Sequence, residues 1–375
     1  MTAEIKWKTG FEIELAAPRG RTRKDLADVL ALQSGGTVQR IFHSQSEPSK
    51  VPGRPTFENL TPGFQLFDSS GQWVASFVDD LTLQADFDKQ TPSQPGWYRI
   101  IADEARLLRL VIRHCDPASS IDNVLEPIAD LFGTKLLSHD SGMFRVVDDR
   151  GVSVAICAPL PGERERPCEI VTAPISSGHC EKLSQLLDEA NAQGFTIPNE
   201  GATHIHFDAT TLCSAICIAK LVFVFEKFGE DLKRLVEVNG RCVRLGAWPE
   251  SLSELTSSEK FQSLDWPEAR QELSKLSLSK YCDFNLLNIA TGNDLKHTFE
   301  VRILPSMMDS TKIVEAAALF EGLLDWCIDP TTSPASIPSS LSLLLDSAPV
   351  TRTMKKHWQR KIAIKSRITT TKDIW

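Results

Sequence analysis

The sequence predicts an α+β fold with a largely antiparallel sheet, and three observations carry that prediction. Strand-like runs that alternate apolar and polar residues occur from GFEIEL (10–15) to HTFEVRIL (297–304). Adjacent runs are joined by tight turns, as in FQLFDSSGQWVASFV, where Ser-Ser-Gly separates two apolar stretches. Helical stretches are scattered among the strands without a repeated strand-helix unit, and no repeat at a solenoid period is visible.

The elements follow in order. In GFEIEL, Phe11, Ile13 and Leu15 share one face of a strand, and Glu12 and Glu14 share the other. Pro18 and a basic cluster lead into a helix over 22–33, where Leu26, Val29, Leu30 and Leu32 recur at helical spacing and Gly35 and Gly36 end it. HSQSEPSKVPGRP (43–55) is rich in turn formers and reads as an exposed loop. The hairpin comes next, then VDDLTL, whose acids Asp79 and Asp80 are open to either face. A strand is expected over 106–113, a helix over 121–132, and a second hairpin in MFRVVDDRGVSVAI with Asp-Arg-Gly at its turn. APLPGERERP reads as an exposed segment before the short strand CEIVTAP. A helix over 178–194, the strand ATHIHFD, a buried helix over 211–228, the strand HTFEVRIL and a helix over 310–327 complete residues 1–330. Within 331–375, TTSPASIPSSLSLLLDSAP reads as a Ser/Pro-rich linker, and the basic TMKKHWQRKIAIKSR as a tail or a solvated helix.

With 375 residues, 42% hydrophobic and 24% charged, the chain suits one large domain or two ordinary ones. A net charge of −8 and a pI near 5.6 argue against nucleic acid as the main partner and fit an enzyme that acts on small molecules. The nine cysteines form no CxxC pair, and an odd number cannot all pair within one chain, so reduced thiols are expected. MTAEIKWKTG lacks the apolar core of a signal peptide, and the most apolar run, 212–225, is broken by Lys220 and too short to span a bilayer. These features predict a cytoplasmic protein with no membrane partner; the oligomeric state leaves no signal.

Three strands repeat one pattern. Glu12 and Glu14, His204 and His206, and Glu300 and Arg302 each place two polar side chains on one face and apolar residues on the other. If the apolar backs pack on one helical layer, the polar faces line one surface, to which Glu169 of CEIVTAP adds a further carboxylate. Carboxylates and imidazoles beside a guanidinium suit Mg²⁺ held together with substrate phosphates; a closed zinc site would want more His or Cys. Arginine supplies a planar donor for phosphate or carboxylate oxygens.

GFEIEL, CEIVTAPI, THIHFD and TFEVRILP, in this order and at these spacings, resemble the amidoligase family of carboxylate-amine ligases, which is similar in catalytic fold to glutamine synthetase and glutamate-cysteine ligase. The resemblance implies a glutamine-synthetase-like curved antiparallel sheet, its polar concave face forming the active site and its back covered by helices. It assigns Glu12, Glu14, Glu169, His204 and Glu300 to two or three Mg²⁺ ions (Mn²⁺ being an alternative) around ATP phosphates. It places His206 against the nucleotide and Arg302 at the transferring phosphoryl group. Arg241 and Arg244 of NGRCVRLGAW match the family's arginine segment, with Arg234 a competitor, and Asn285 of FNLLNIA matches its Asn-Leu strand as a substrate contact; Asp80 is a second such candidate. Two departures stand out. Glutamine synthetase carries another metal-binding glutamate shortly after the one matching Glu169, where this chain reads VTAPISSGHCEK with Glu181 the acid nearby. Residues 18–167 match little of the family beyond VDDLTL.

The resulting expectation is an ATP-dependent ligase that joins a small-molecule or peptide carboxylate to an amine through an acyl phosphate. Two rivals remain at this point: a metal-dependent hydrolase using His204, His206 and nearby acids, and a decayed module that only binds nucleotide.

Overall fold

A computed structural model describes residues 3–48, 56–102, 104–242, 244–293 and 296–372. The strands are β1 (Thr9–Ala16), β2 (Thr37–Pro48), β3 (Thr56–Phe67), β4 (Trp73–Val78), β5 (Tyr98–Ala102), β6 (Leu137–Ser138), β7 (Phe144–Val147), β8 (Ser153–Pro159), β9 (Pro167–Thr172), β10 (Ala202–Asp208), β11 (Phe284–Asn285) and β12 (Thr298–Pro305). The helices of the first half are α1 (Arg23–Ser34), α2 (Ala105–His114), α3 (Glu126–Leu131) and α4 (His179–Ala192). Those of the second half are α5 (Ala215–Val236), α6 (Glu250–Ser257), α7 (Glu259–Gln262), α8 (Trp266–Ser274), α9 (Leu287–Thr291), α10 (Ser310–Ile328), α11 (Leu341–Ser347) and α12 (Arg352–Lys372). The protein is α+β, and the strand pairs described below are antiparallel. Among the described residues no helix is long and apolar enough to cross a membrane.

The chain forms two compact units: residues 1–12, 174–187 and 201–375 make one, and 13–173 with 188–200 make the other. In the first, β12 pairs with β10 on one side and β11 on the other. His206 stands opposite Glu300, and Glu300 opposite Asn285, so three polar residues form a row across three strands. The β10–β12 register shifts between Thr203 and Ile205, at the position of His204, an irregularity of the kind that re-aims side chains beside functional sites. On the apolar side, Phe225 of α5 lies 5.3 Å from Phe299 and 4.5 Å from Phe284, ring centroid to centroid, and stacks on Phe320 of α10 at 6.3 Å. This is the helical back that the alternation of TFEVRIL predicts.

Helix α5 begins later than expected because Ser214, not Thr211, is its cap: the Ser214 side chain accepts from the Cys217 N–H, and Ala209–Leu212 form a separate 3₁₀ turn. Lys220 is tolerated in this buried helix because its Nζ donates to the Asp329 carbonyl at 2.7 Å and to Thr332 Oγ1 at 3.0 Å. The segment read as linker contains α11, which buries Leu341, Leu344 and Leu345, and the basic segment beyond it is α12, anchored by buried Met354 and Trp358. In SLSLLL the leucines fall three and four apart, which is enough to bury one helical face.

In the second unit the strands run in the order β9-β4-β3-β5-β8-β7-β6, with β2 paired along β3. Helix α1 is closed by a Thr22–Asp25 capping box and by Gly35 in the left-handed region (φ 63°). Gly36 then passes so close to β3 that a Cβ would lie 2.0 Å from the Phe67 carbonyl oxygen. Helices α2 and α3 pack Leu108, Val111 and Ile128 against Tyr98, Ile100, Val146 and Cys157 of the strands.

Four expectations change here. Residues 43–48 are not loop but the second half of β2, held by backbone pairing to residues 56–61; residues 49–55 lie outside the described residues. Residues 106–113 are helical, because Leu108 and Val111 are spaced for one buried helical face. The helix expected over 121–132 is confined to α3, with turns before it. The GERER segment is buried, not exposed: Arg164 pairs with Asp79 and donates to the Leu83 carbonyl, Glu163 pairs with Arg166, and buried Arg23 donates to the Arg164 and Pro167 carbonyls at 2.7 and 3.0 Å.

Candidate active site

Strand geometry concentrates the site in the first unit. β1 supplies Glu12, β10 supplies His204 and His206, β12 supplies Glu300 and Arg302, and β11 supplies Asn285. Glu12 Oε2 is 3.1 Å from His204 Nδ1, and Glu300 Oε1 is 3.5 Å from the same nitrogen. One ligand atom each from Glu12, His204 and Glu300 lies within 4.8 Å of the others. Two carboxylate oxygens and an imidazole form a donor set that fits a divalent cation. His206 Nδ1 is 3.2 Å from Thr298 Oγ1, which fixes the ring. Its Nε2 lies 3.1 Å from Glu12 Oε1.

The electrostatics favour a cation. Burial alone would raise the Glu12 carboxyl, but Lys296, His206 and His204 outweigh it and hold the group well below its ordinary 4.5. Burial would likewise raise Glu300, and Arg302 followed by His206 reverses the shift. For His204, burial and then Arg302 press the imidazole down from 6.5 to about 4 against the pull of Glu12 and Glu300. At neutral pH the site therefore presents ionised carboxylates beside a neutral imidazole, the forms in which these groups ligate metals.

Glu300 is clamped. Arg302 donates to its Oε1 at 2.5 Å, and Asn285 Nδ2 donates to its Oε2 at 2.8 Å. Asn285 is itself oriented, since its Oδ1 accepts the Leu287 N–H at 2.8 Å where α9 begins. Glu300 in turn keeps the Arg302 guanidinium above its ordinary range although burial would lower it. Arg302 Nε is buried and without a hydrogen-bond partner among the described residues, which leaves a fixed donor for an oxyanion.

A family model described as "putative amidoligase enzyme" matches residues 5–324. The chain belongs to the amidoligase family. The match contains every strand of the site, and membership supports a ligase. No curated protein and no solved structure matches this amidoligase.

Of the remaining candidates in this amidoligase, Glu14 (buried, β1) and Glu169 (half-buried, β9) belong to the second unit, as do Asp79 and Asp80. Asp79 is buried in its pair with Arg164, and Asp80 Oδ1 accepts the Thr82 N–H at 2.8 Å, closing the turn after β4. Half-buried Arg244 is near enough to Arg302 to oppose its charge; Arg241 is exposed, and Arg234 pairs with Asp231 at the surface of α5. Glu181 is exposed in the first turn of α4.

The strand patterns did not reveal three further residues. Lys296 Nζ lies 2.7 Å from Glu12 Oε1. Half-buried Lys280 feels Arg302, Glu12, Glu300 and Lys296, and burial followed by Arg302 lowers its ammonium from the ordinary value. Thr298 holds His206. Lone lysines and a threonine leave no periodic signal; the one available hint is that Lys296 and Thr298 flank the start of HTFEVRIL.

Proposed function

We propose that this protein is an ATP-dependent carboxylate-amine ligase that activates its acid substrate as an acyl phosphate. The observation that carries the reading is the largely covered Glu12–His204–Glu300 group, with the Arg302 guanidinium locked against its Glu300. Glu12, His204 and Glu300 would hold divalent cations, Mg²⁺ in first place. Bound there, such cations neutralise phosphate charge as it shifts in transfer. His206 would lie against the nucleotide phosphates. Arg302, with Arg244 beside it, would hold the phosphoryl group in line with the attacking carboxylate oxygen. That oxygen attacks the γ-phosphorus, the bond to ADP breaks, and the amine then displaces phosphate from the acyl carbon. The substrates are a carboxylate and an amine, small molecules or a peptide. A water-activating hydrolase would give Arg302 no task, which argues against that rival.

Without cations, ATP phosphates would meet ionised carboxylates. ADP or ATP should therefore bind with Mg²⁺ and lose most of its affinity when the metal is chelated, as read by calorimetry on the full chain. Equal nucleotide affinity with and without chelator would sink this arrangement.

A further inference from the structure

Lys296 lies two residues before the strand that carries Glu300 and Arg302, and its ammonium contacts Glu12 Oε1 at 2.7 Å. The lysine side chain is 48% exposed and that of Glu12 is 13% exposed, so a long, mobile cation reaches from solvent onto a largely covered carboxylate. The other oxygen of Glu12, Oε2, faces His204, the side on which the Glu12–His204–Glu300 donor atoms converge. A monovalent cation on one oxygen and a divalent cation on the other repel strongly at this separation. The fixed partners of the site cannot relieve the repulsion, because Arg302 and Asn285 are bound to Glu300. Lys296 can, since its four-carbon stem ends in a half-exposed head.

We propose that Lys296 is a coupling cation: it competes with the divalent ion for Glu12, leaves that carboxylate when the ion loads, and then receives an oxyanion of the nucleotide phosphates. Nucleotide and metal binding are thereby linked through one side chain, and the linkage is reciprocal. The inference rests on the metal site proposed above.

The test uses the full-length protein with Mn²⁺ as the probe, followed by electron paramagnetic resonance, and ADP binding followed by calorimetry. In Lys296→Met, Mn²⁺ without nucleotide should bind ~10-fold tighter than in wild type, because the competing charge is gone. In the same variant ADP at saturating Mn²⁺ should bind ~10-fold more weakly, because the phosphates lose a cation. Lys296→Arg should keep wild-type values for both. Opposite signs for metal and nucleotide separate coupling from a surface ion pair that merely stabilises the chain, which would move neither affinity upward. Mn²⁺ binding that is unchanged or weaker in Lys296→Met overturns the inference alone. Failure of the wild type to bind Mn²⁺, or undiminished binding in Glu12→Gln, overturns the metal site and the coupling together.

Discussion

A carboxylate that accepts from a guanidinium on one oxygen and an amide on the other has little freedom to rotate, and Glu300 is held in this way by Arg302 and Asn285. The restraint works in both directions: the guanidinium that orients Glu300 is itself oriented, with its Nε left for an incoming oxygen. Lysine in place of Arg302 would keep the charge and lose the planar fork. Turnover in Arg302→Lys should fall by ~10²-fold or more while nucleotide affinity changes less, since in the proposed mechanism the fork acts on the charge that develops in transfer. Near-wild-type turnover would remove the arginine from phosphoryl transfer. The residues of this clamp were legible because a strand's period of two forces Glu300 and Arg302 onto one face. The partner of Asp79 was not legible, since Arg164 is 85 positions away and no local pattern links them. Lys296 and Lys280 were hidden for the same reason.

Elements decide whether such side chains meet. The segment that leads into β1 is held by α10: Glu321 Oε1 accepts the Lys6 and Trp7 N–H groups at 2.6 and 2.8 Å, and Asp325 accepts the Trp7 indole N–H at 2.8 Å. Burial is the main cause that raises both carboxyls above their ordinary 4.5 and 3.8, and Asp325 adds to the shift of Glu321. The native chain therefore keeps these protons to a higher pH than the unfolded chain, so their contribution to stability is present at low pH and declines as pH rises past those ordinary values. In Glu321→Gln the thermal midpoint should lose part of that decline, measured between pH 4.5 and 7 against wild type. An identical pH slope in the variant would show that Glu321 is ionised in the native state at its ordinary pH. Legibility among the elements follows a similar rule. Strands with one apolar face, such as β10 and β12, announce themselves. β2 is polar through residues 43–48 and exists because β3 pairs with it, while α2 has arginines on both sides of an apolar run and can be read at either period.

At the scale of the whole chain, the order of four short motifs across residues 10–304 was enough to indicate a family that the model match over 5–324 establishes. The identity of any acid and amine substrates stayed out of reach, because the strand motifs of the site name no substrate, and the family match runs through residues 18–167, where those motifs gave no signal. Under the ATP-dependent mechanism proposed above, the bond that breaks can still be argued. Activation as an acyl phosphate releases ADP, whereas activation as an adenylate releases pyrophosphate and leaves AMP. Carboxylates, a neutral imidazole and a locked arginine gathered at one place suit charge development at the γ-phosphate, and the chain contains no Gly-rich Walker-type loop that would cradle the nucleotide otherwise. With hydroxylamine in place of the amine, its nitrogen attacks the acyl carbon, phosphate leaves, and a hydroxamate forms. A screen of amino acids and peptides with ATP, Mg²⁺ and hydroxylamine should therefore yield hydroxamate together with ADP and phosphate, each dependent on the acid. Hydroxamate formed with AMP instead would keep the ligase and refute the acyl phosphate. ADP released at the same rate without any acid would mean that water, not a carboxylate, takes the phosphoryl group.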